Sequence, residues 1–290
     1  KVNSGRAALR WRLTPAIELT LSHAQQSQLA HGTSGAQLLP ATGNPGRYQA
    51  PLAFNDHTVL SPYPEFADRD FRLSGFDIDW KLSYARLHSS TSTYEDTRAG
   101  QADYLGTGSF FYGDLGLYPE YTLGDPAFAG QTAYLRYDNT YKGTVHETRL
   151  TSNPGGSFDW IAGFYYASQK KSLKYTENLP TLPGSGPAGV GYFEDQSSKY
   201  KESALFGEIS IKPAPALTLT AGARFFSYRD STVTEVVDYA FDLVSGAVPA
   251  GDKGSAKSYF KFNASYQFTP DLLAYYTISQ GFRRGGANGF

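Results

Sequence analysis

Apolar and polar residues alternate along this chain in short runs, and the runs come in pairs. Leu217, Leu219, Ala221, Ala223 and Phe225 share one parity; Thr218, Thr220, Gly222, Arg224 and Phe226 share the other. A strand sends successive side chains to opposite faces, so a period of two predicts a strand with one apolar and one polar face. The first pair, about residues 6–24, sets Ala7, Leu9, Trp11 and Leu13 against Arg6, Ala8, Arg10 and Arg12, then Ile17, Leu19 and Leu21 against Glu18, Thr20 and Ser22. The second, 70–94, opposes Phe76, Ile78 and Trp80 to Asp77 and Asp79, and Ala85 and Leu87 to Arg86 and His88. In the third, 144–169, Trp160, Ala162, Phe164 and Tyr166 share a parity, while Ile161 and Tyr165 leave the faces of that strand open. The fourth spans 200–230. The fifth, 257–282, alternates Phe260, Phe262, Ala264, Tyr266 and Phe268 with Lys261, Asn263, Ser265 and Gln267.

Within pairs the connections are tight, as at Pro15, Asn153-Pro154-Gly155-Gly156 and Pro213-Ala214-Pro215, all strong turn signals. Between pairs the chain runs long, as over 25–69 and 96–143, with many Gly, Pro and Tyr. All tight turns therefore fall at one end of the strands and all long loops at the other. This asymmetry, with an apolar face on every strand, predicts an all-β, transmembrane antiparallel barrel of about ten strands with long extracellular loops.

Composition agrees. Aromatics make up 15 % of the chain, with 22 Tyr and 19 Phe, and such rings suit a bilayer interface. No run of 18 apolar residues exists, so no transmembrane helix is encoded. A mean hydropathy of −0.40 is compatible with a barrel, half of whose wall faces water. The net charge of −1 argues for no nucleic-acid partner. Cys is absent, which excludes disulfides, thiolate metal sites and Cys nucleophiles. Met is absent too, and we expect an internal piece of a longer protein. The inward parity carries Arg10, Arg12, Arg86, Glu147, Arg149, Glu208, Arg224 and Lys261. So much inward charge sits more easily in a wide, wet lumen than in a small filled barrel.

One stretch identifies a family. Residues 274–288 read Ala-Tyr-Tyr-Thr-Ile-Ser-Gln-Gly-Phe-Arg-Arg-Gly-Gly-Ala-Asn. The run Gly281, Phe282, Arg283, Gly285, Gly286 and Asn288 resembles the Gly-Phe-Arg-x-Gly-Gly-x-Asn strand end of TonB-dependent receptor barrels, siderophore receptors among them, with Arg284 where Pro is frequent. The segment 147–152 followed by 158–163 is similar to that family's Glu-x-Arg-Leu-x-Ser and Trp-x-x-Gly hairpin. Phe206-Gly207-Glu208, residues 219–224 and residues 6–11 resemble further strands in the same order. The resemblance covers nearly all strands and fails in the long loops. It implies residues 1–290 as part of a barrel of about 22 strands whose plug domain lies outside this chain. It implies an outer-membrane, multi-pass transporter of a Gram-negative bacterium, embedded in outer-membrane lipid. It further implies a small-molecule ligand such as a ferric siderophore, and energy from the TonB–ExbB–ExbD complex. The glycines of residues 281–289 read as bends at a strand end, since no helix with Lys-Ser/Thr follows as a phosphate loop requires.

Seven aromatics in the two longest loops are the expected ligand contacts: Tyr63, Tyr104, Phe110, Phe111, Tyr112, Tyr118 and Tyr121. The plainer alternative is that these rings pack the loops on one another. No metal site is expected, because His23, His31, His57, His88 and His146 lack ligand spacing; no cofactor is expected either. The rival reading is a complete ten-stranded barrel, a pore or an omptin-like protease. It lacks evident catalytic motifs, and His88 has no obvious rim Asp beside it in the sequence. We therefore expect a transporter rather than an enzyme.

Overall fold

A computed structural model describes residues 1–32, 63–103, 134–155, 158–178, 189–238 and 243–281. They form one antiparallel sheet in chain order: β1 (Val2–Arg12), β2 (Ile17–Gln28), β3 (Phe66–Lys81), β4 (Ala85–Asp103), β5 (Tyr134–Ser152), β6 (Phe158–Asn178), β7 (Val190–Ala214), β8 (Leu217–Asp238), β9 (Leu243–Thr269) and β10 (Leu272–Ser279). Among the described residues β1 pairs only with β2 and β10 only with β9. The wall is open, so a self-contained ten-stranded barrel is not what these strands make.

The strands outrun the sequence pattern. β4 continues to Asp103 and β5 begins at Tyr134, so much of the expected 96–143 loop is ladder. The ends of the 25–69 segment likewise join β2 and β3. β9 begins at Leu243, and Asp238 pairs with Leu243, which reduces the expected long connection after β8 to residues 239–242. The reason is that backbone pairing needs no apolar face. Thr, Tyr and Ser favour extended chain, and the ladder persists where both faces are polar.

The tight turns are held by side chains. Thr14 Oγ1 accepts from the backbone N–H of Ala16 and Ile17 at 3.2 and 3.0 Å. Asn153 Nδ2 donates to the carbonyl of Ser83 at 2.8 Å, tying two neighbouring turns together. Gly155 has φ of +103°, a left-handed conformation that favours glycine.

Residues directly opposite in the ladder share a face, so the register sorts the side chains. One face carries Leu9, Leu21 and Phe76 in one row, and Leu205 and Phe225 in another. It continues through Ile209, Ala221, Phe262 and Ile278. Many of its large apolar side chains are exposed, among them Leu9, Trp11, Leu205, Phe225 and Phe260. Trp160, Ala162, Phe164 and Tyr166 lie on it; Ile161 and Tyr165 lie on the other, settling the ambiguous strand. The expectation of an apolar face on every strand fails at β4 and β5. There the outward Ser89, Thr91, His146 and Thr148 hydrogen-bond to one another at 2.8–3.0 Å. Mutual pairing lowers the cost of placing polar groups on an apolar face.

The opposite, polar face has crowded aromatics. The rings of Tyr137, Tyr94 and Phe206 lie over Gly100, Gly143 and Gly163, their direct cross-strand partners. A methyl group at Gly143 would also fall 2.7 Å from the backbone carbonyl of Ser168. Bare glycines here let rings lie flat on the sheet.

Neighbouring residues of β9 test the two faces. Ala264→Arg puts a cation on the apolar face and costs about 2–4 kcal/mol in a bilayer. Ser265→Arg points to the polar face and costs far less. Equilibrium unfolding of the full protein in lipid vesicles measures both; equal costs would overturn the assignment of faces.

Candidate functional site

The polar face is organised by ion pairs. Arg10 and Arg12 both reach Glu18, at 3.3 and 3.5 Å. Arg86 meets Asp79 at 2.8 Å, Arg149 meets Glu147 at 3.7 Å, Lys261 meets Glu208 at 2.9 Å, and Arg224 meets Glu202 at 2.6 Å. All eight charged residues expected to point inward thus project from this face, each with an opposite charge beside it. Exposed pairs of this kind contribute about 0–1 kcal/mol each, so their main effect is to neutralise the wall.

A tighter unit lies beyond the apolar band, toward the long connections. Arg69 donates from Nε and Nη2 to the two oxygens of Asp96 at 2.8 Å, and Arg98 adds a bond of 2.7 Å. Burial alone would raise the Asp96 pKa; the two guanidiniums outweigh it and hold the carboxyl below its usual range. Arg98 also lies over the Tyr141 ring, 5.2 Å from its centre. This fork fastens β3 to β4 where both faces are polar.

On β6 to β9 an aromatic cluster lines the same face. Tyr200, Phe226 and Tyr228 are buried, with Tyr165 and Tyr259 packed against them. Phe226 stacks on Tyr259 at 5.2 Å and on Tyr228 at 6.2 Å between ring centres. Arg224 sits 5.0 Å above the Tyr165 ring and pairs with Glu202, which also accepts a 2.6 Å bond from the Tyr200 hydroxyl. The sequence reading missed this cluster. Its signal was Phe226 and Tyr228 continuing the parity of Arg224, hidden because aromatics were sought in the loops.

Of the seven loop aromatics, the structure places Tyr63, whose ring lies 4.5 Å from that of Tyr134. Tyr104, Phe110, Phe111, Tyr112, Tyr118 and Tyr121 fall outside the described residues, as do Phe282, Arg283, Gly285, Gly286 and Asn288. Gly281 lies two residues past the end of β10. His88 does have an acid beside it: Asp79 Oδ1 lies 3.3 Å from its Nδ1. That same oxygen accepts from Arg86, so Asp79 is held by two neighbours in a structural cluster. Among the described residues no group of three His, Cys, Asp or Glu is placed to hold a metal ion.

Glu202 is the hinge of the aromatic cluster. Glu202→Ala removes the acid that pairs with Arg224 and accepts from the Tyr200 hydroxyl, costing about 1–3 kcal/mol. Tyr200→Phe removes one hydrogen bond and costs about 0.5–1.5 kcal/mol. A double-mutant cycle between positions 202 and 224, read by unfolding, is expected to give a clear coupling energy; additive costs would dissolve the unit.

The fold has close counterparts. The ferric yersiniabactin uptake receptor FyuA of Yersinia pestis superposes with a TM-score of 0.66 at 11 % identity, over 94 % of this chain and 36 % of that one. The open form of the ferric-catecholate import receptor Fiu of E. coli K12 gives 0.65 at 12 %, over 96 % of this chain and 46 % of its own. The alcaligin outer membrane receptor FauA of Bordetella pertussis gives 0.58 at 11 %, over 96 % and 35 %. This chain therefore spans between about a third and a half of the length of these receptors. Its sequence also matches the family described as TonB dependent receptor-like, beta-barrel, over residues 11–290. With a two-faced antiparallel wall, an open edge at each side and that match, the chain belongs to the TonB-dependent receptor β-barrel family.

Proposed function

We propose that residues 1–290 are part of the barrel wall of an outer-membrane receptor of a Gram-negative bacterium, one that binds and imports a scarce nutrient. The observation that carries this is the contrast between faces. One face is apolar and exposed, suited to lipid; the other is charged, paired and aromatic, suited to a wet lumen. The nutrient is a ferric siderophore. Support comes from the named ligands of the neighbouring receptors, ferric yersiniabactin and ferric catecholates.

In this reading the full protein holds its own plug domain in the lumen, and the TonB–ExbB–ExbD complex supplies the energy. The paired charges of the polar face, Lys261 with Glu208 and Arg224 with Glu202 among them, let a hydrated solute pass without a strong trap. The mouth is built by residues 63 and 104–133, where Tyr63, Tyr104, Phe110, Phe111, Tyr112, Tyr118 and Tyr121 offer broad contact at small entropic cost. The chain performs no bond chemistry in this scheme.

The test is uptake by the full receptor. A strain lacking the gene is expected to lose import of one ferric siderophore from a panel of catecholate, hydroxamate and mixed types, and the restored gene to recover it. Exchange of residues 104–133 for those of a relative is expected to change which siderophore is taken up. Unchanged import of every siderophore in the deletion strain would overturn the ligand; import unaltered by the exchange would overturn the mouth.

A further inference from the structure

The outward face carries a second pattern, on the side of the long connections. On β3 the outward positions read Phe76, Ser74, Arg72; on β6, Tyr166, Ser168, Lys170. On β7 they read Leu205, Ser203, Lys201; on β8, Phe225, Ser227, Arg229. Four strands repeat one order: a large apolar side chain, a serine, a cation. Each cation lies about 13 Å beyond its apolar partner, at the usual rise of a strand. All four are exposed.

The register adds Lys142 and Lys199. Arg72, Glu95, Lys142, Lys170 and Lys199 are successive direct partners across β3 to β7. Three lysines thus stand side by side, and directly opposed like charges are destabilising unless something neutralises them. Glu95 is the one acid in that row, 3.9 Å from Lys142. Arg72, Lys170, Lys199, Lys201 and Arg229 have no ion-pair partner within 4 Å among the described residues, whereas Arg136 and Lys174 further along the same face pair with Asp138 and Asp195.

Two hollows complete the surface. One, of about 450 Å³, lies between Arg72, Lys142 and Lys170, with the hydroxyls of Ser74, Thr93, Thr144 and Ser168 in its lining. The other, of about 830 Å³, is apolar: Ala162, Gly207, Ala221 and Ala223 are small, and Trp160, Leu205 and Phe225 stand around them. It lies on β6 to β8, below Lys170, Lys201 and Arg229 on the same strands.

We infer that this belt is a binding site for the phosphorylated glycolipid of the outer leaflet. Its phosphates sit among the cations and hydroxyls, and an acyl chain lies in the apolar hollow beneath. The chemistry fits at both ends: unpaired cations with hydroxyl donors match a phosphate, and juxtamembrane cations favour anionic lipid. The inference rests on the outer-membrane placement proposed above, but not on the identity of the imported nutrient.

The test uses the full-length receptor purified in detergent from the outer-membrane fraction, titrated with bisphosphorylated lipid A and with its dephosphorylated form under native mass spectrometry. Wild type is expected to retain the phosphorylated lipid and lose the other. The variant Arg72→Gln/Lys170→Gln/Lys201→Gln/Arg229→Gln is expected to hold lipid A roughly 1,000-fold less tightly. A second variant, Ser168→Glu/Ser203→Glu, sets acids among the same cations and is expected to weaken retention without removing a charge from the belt. Siderophore uptake and heat-modifiable gel mobility are expected to stay unchanged in both, which separates failure of the lipid site from failure of the receptor reading. Equal retention of the two lipids, or wild-type retention by both variants, would overturn the inference. Displacement of the lipid by inorganic pyrophosphate alone would assign the site to free phosphate instead. A dimer that the quadruple variant dissolves, with lipid retention intact, would assign the belt to a second copy of the chain.

Discussion

Every peptide N–H and C=O in a membrane wall must be paired within the protein, because hydrocarbon offers no substitute partner. From β2 to β9 that pairing is supplied by strand neighbours in unbroken sequence order. The consequence is a fixed register. A slip of one residue between β8 and β9 would turn Phe260, Phe262 and Tyr266 toward the polar face and Lys261 toward lipid. The cost of that exchange, repeated on strand after strand, is what specifies the wall. The polar patch on β4 and β5 obeys the same demand: its side chains find one another because lipid would leave them unsatisfied.

Electrostatics then divides along the two faces. Many inward cations are matched by acids within a hydrogen bond or a little more, as Lys261 is by Glu208 and Arg224 by Glu202. Among the described residues the outward cations above the apolar band are of two kinds: Lys142, Arg136 and Lys174 have an acid within 4 Å, and Arg72, Lys170, Lys199, Lys201 and Arg229 have none. The outward cations that lack such an acid stand close together across β3 to β8, where Lys142, Lys170 and Lys199 are direct neighbours.

Much of this was legible in the sequence, because period-two alternation reports both the strand and its faces. Leu217 to Phe225 and Phe260 to Phe268 showed their apolar sides without any coordinates. The strand ends were not legible. Beyond Ser168 and Ser227 neither face is apolar, so the pattern falls silent while the ladder continues to Asn178 and Asp238. The Arg69, Asp96 and Arg98 fork was hidden for the same reason: its acid fell in what read as loop. The Glu202 cluster failed to show for another reason. It depends on which residues stand across from one another, and Tyr165, Glu202 and Tyr228 meet only once register joins β6 to β8.

Register also decides how the outer surface should be read. Along β1 to β3 the apolar residues occupy the rows of Leu9 and Trp11; by β8 to β10 they have moved to the rows of Leu217, Leu219 and Ala221. Direct pairing rows therefore climb relative to the apolar band, as they must when strands tilt across a membrane. A belt level with the membrane cannot follow one pairing row; it must be measured from each strand's own apolar edge. Arg72, Lys170, Lys201 and Arg229 do that, lying at one distance from Phe76, Tyr166, Leu205 and Phe225 although they occupy two different rows. A placement that follows the lipid boundary rather than the ladder is set by the membrane, and the ladder alone gives no reason for it.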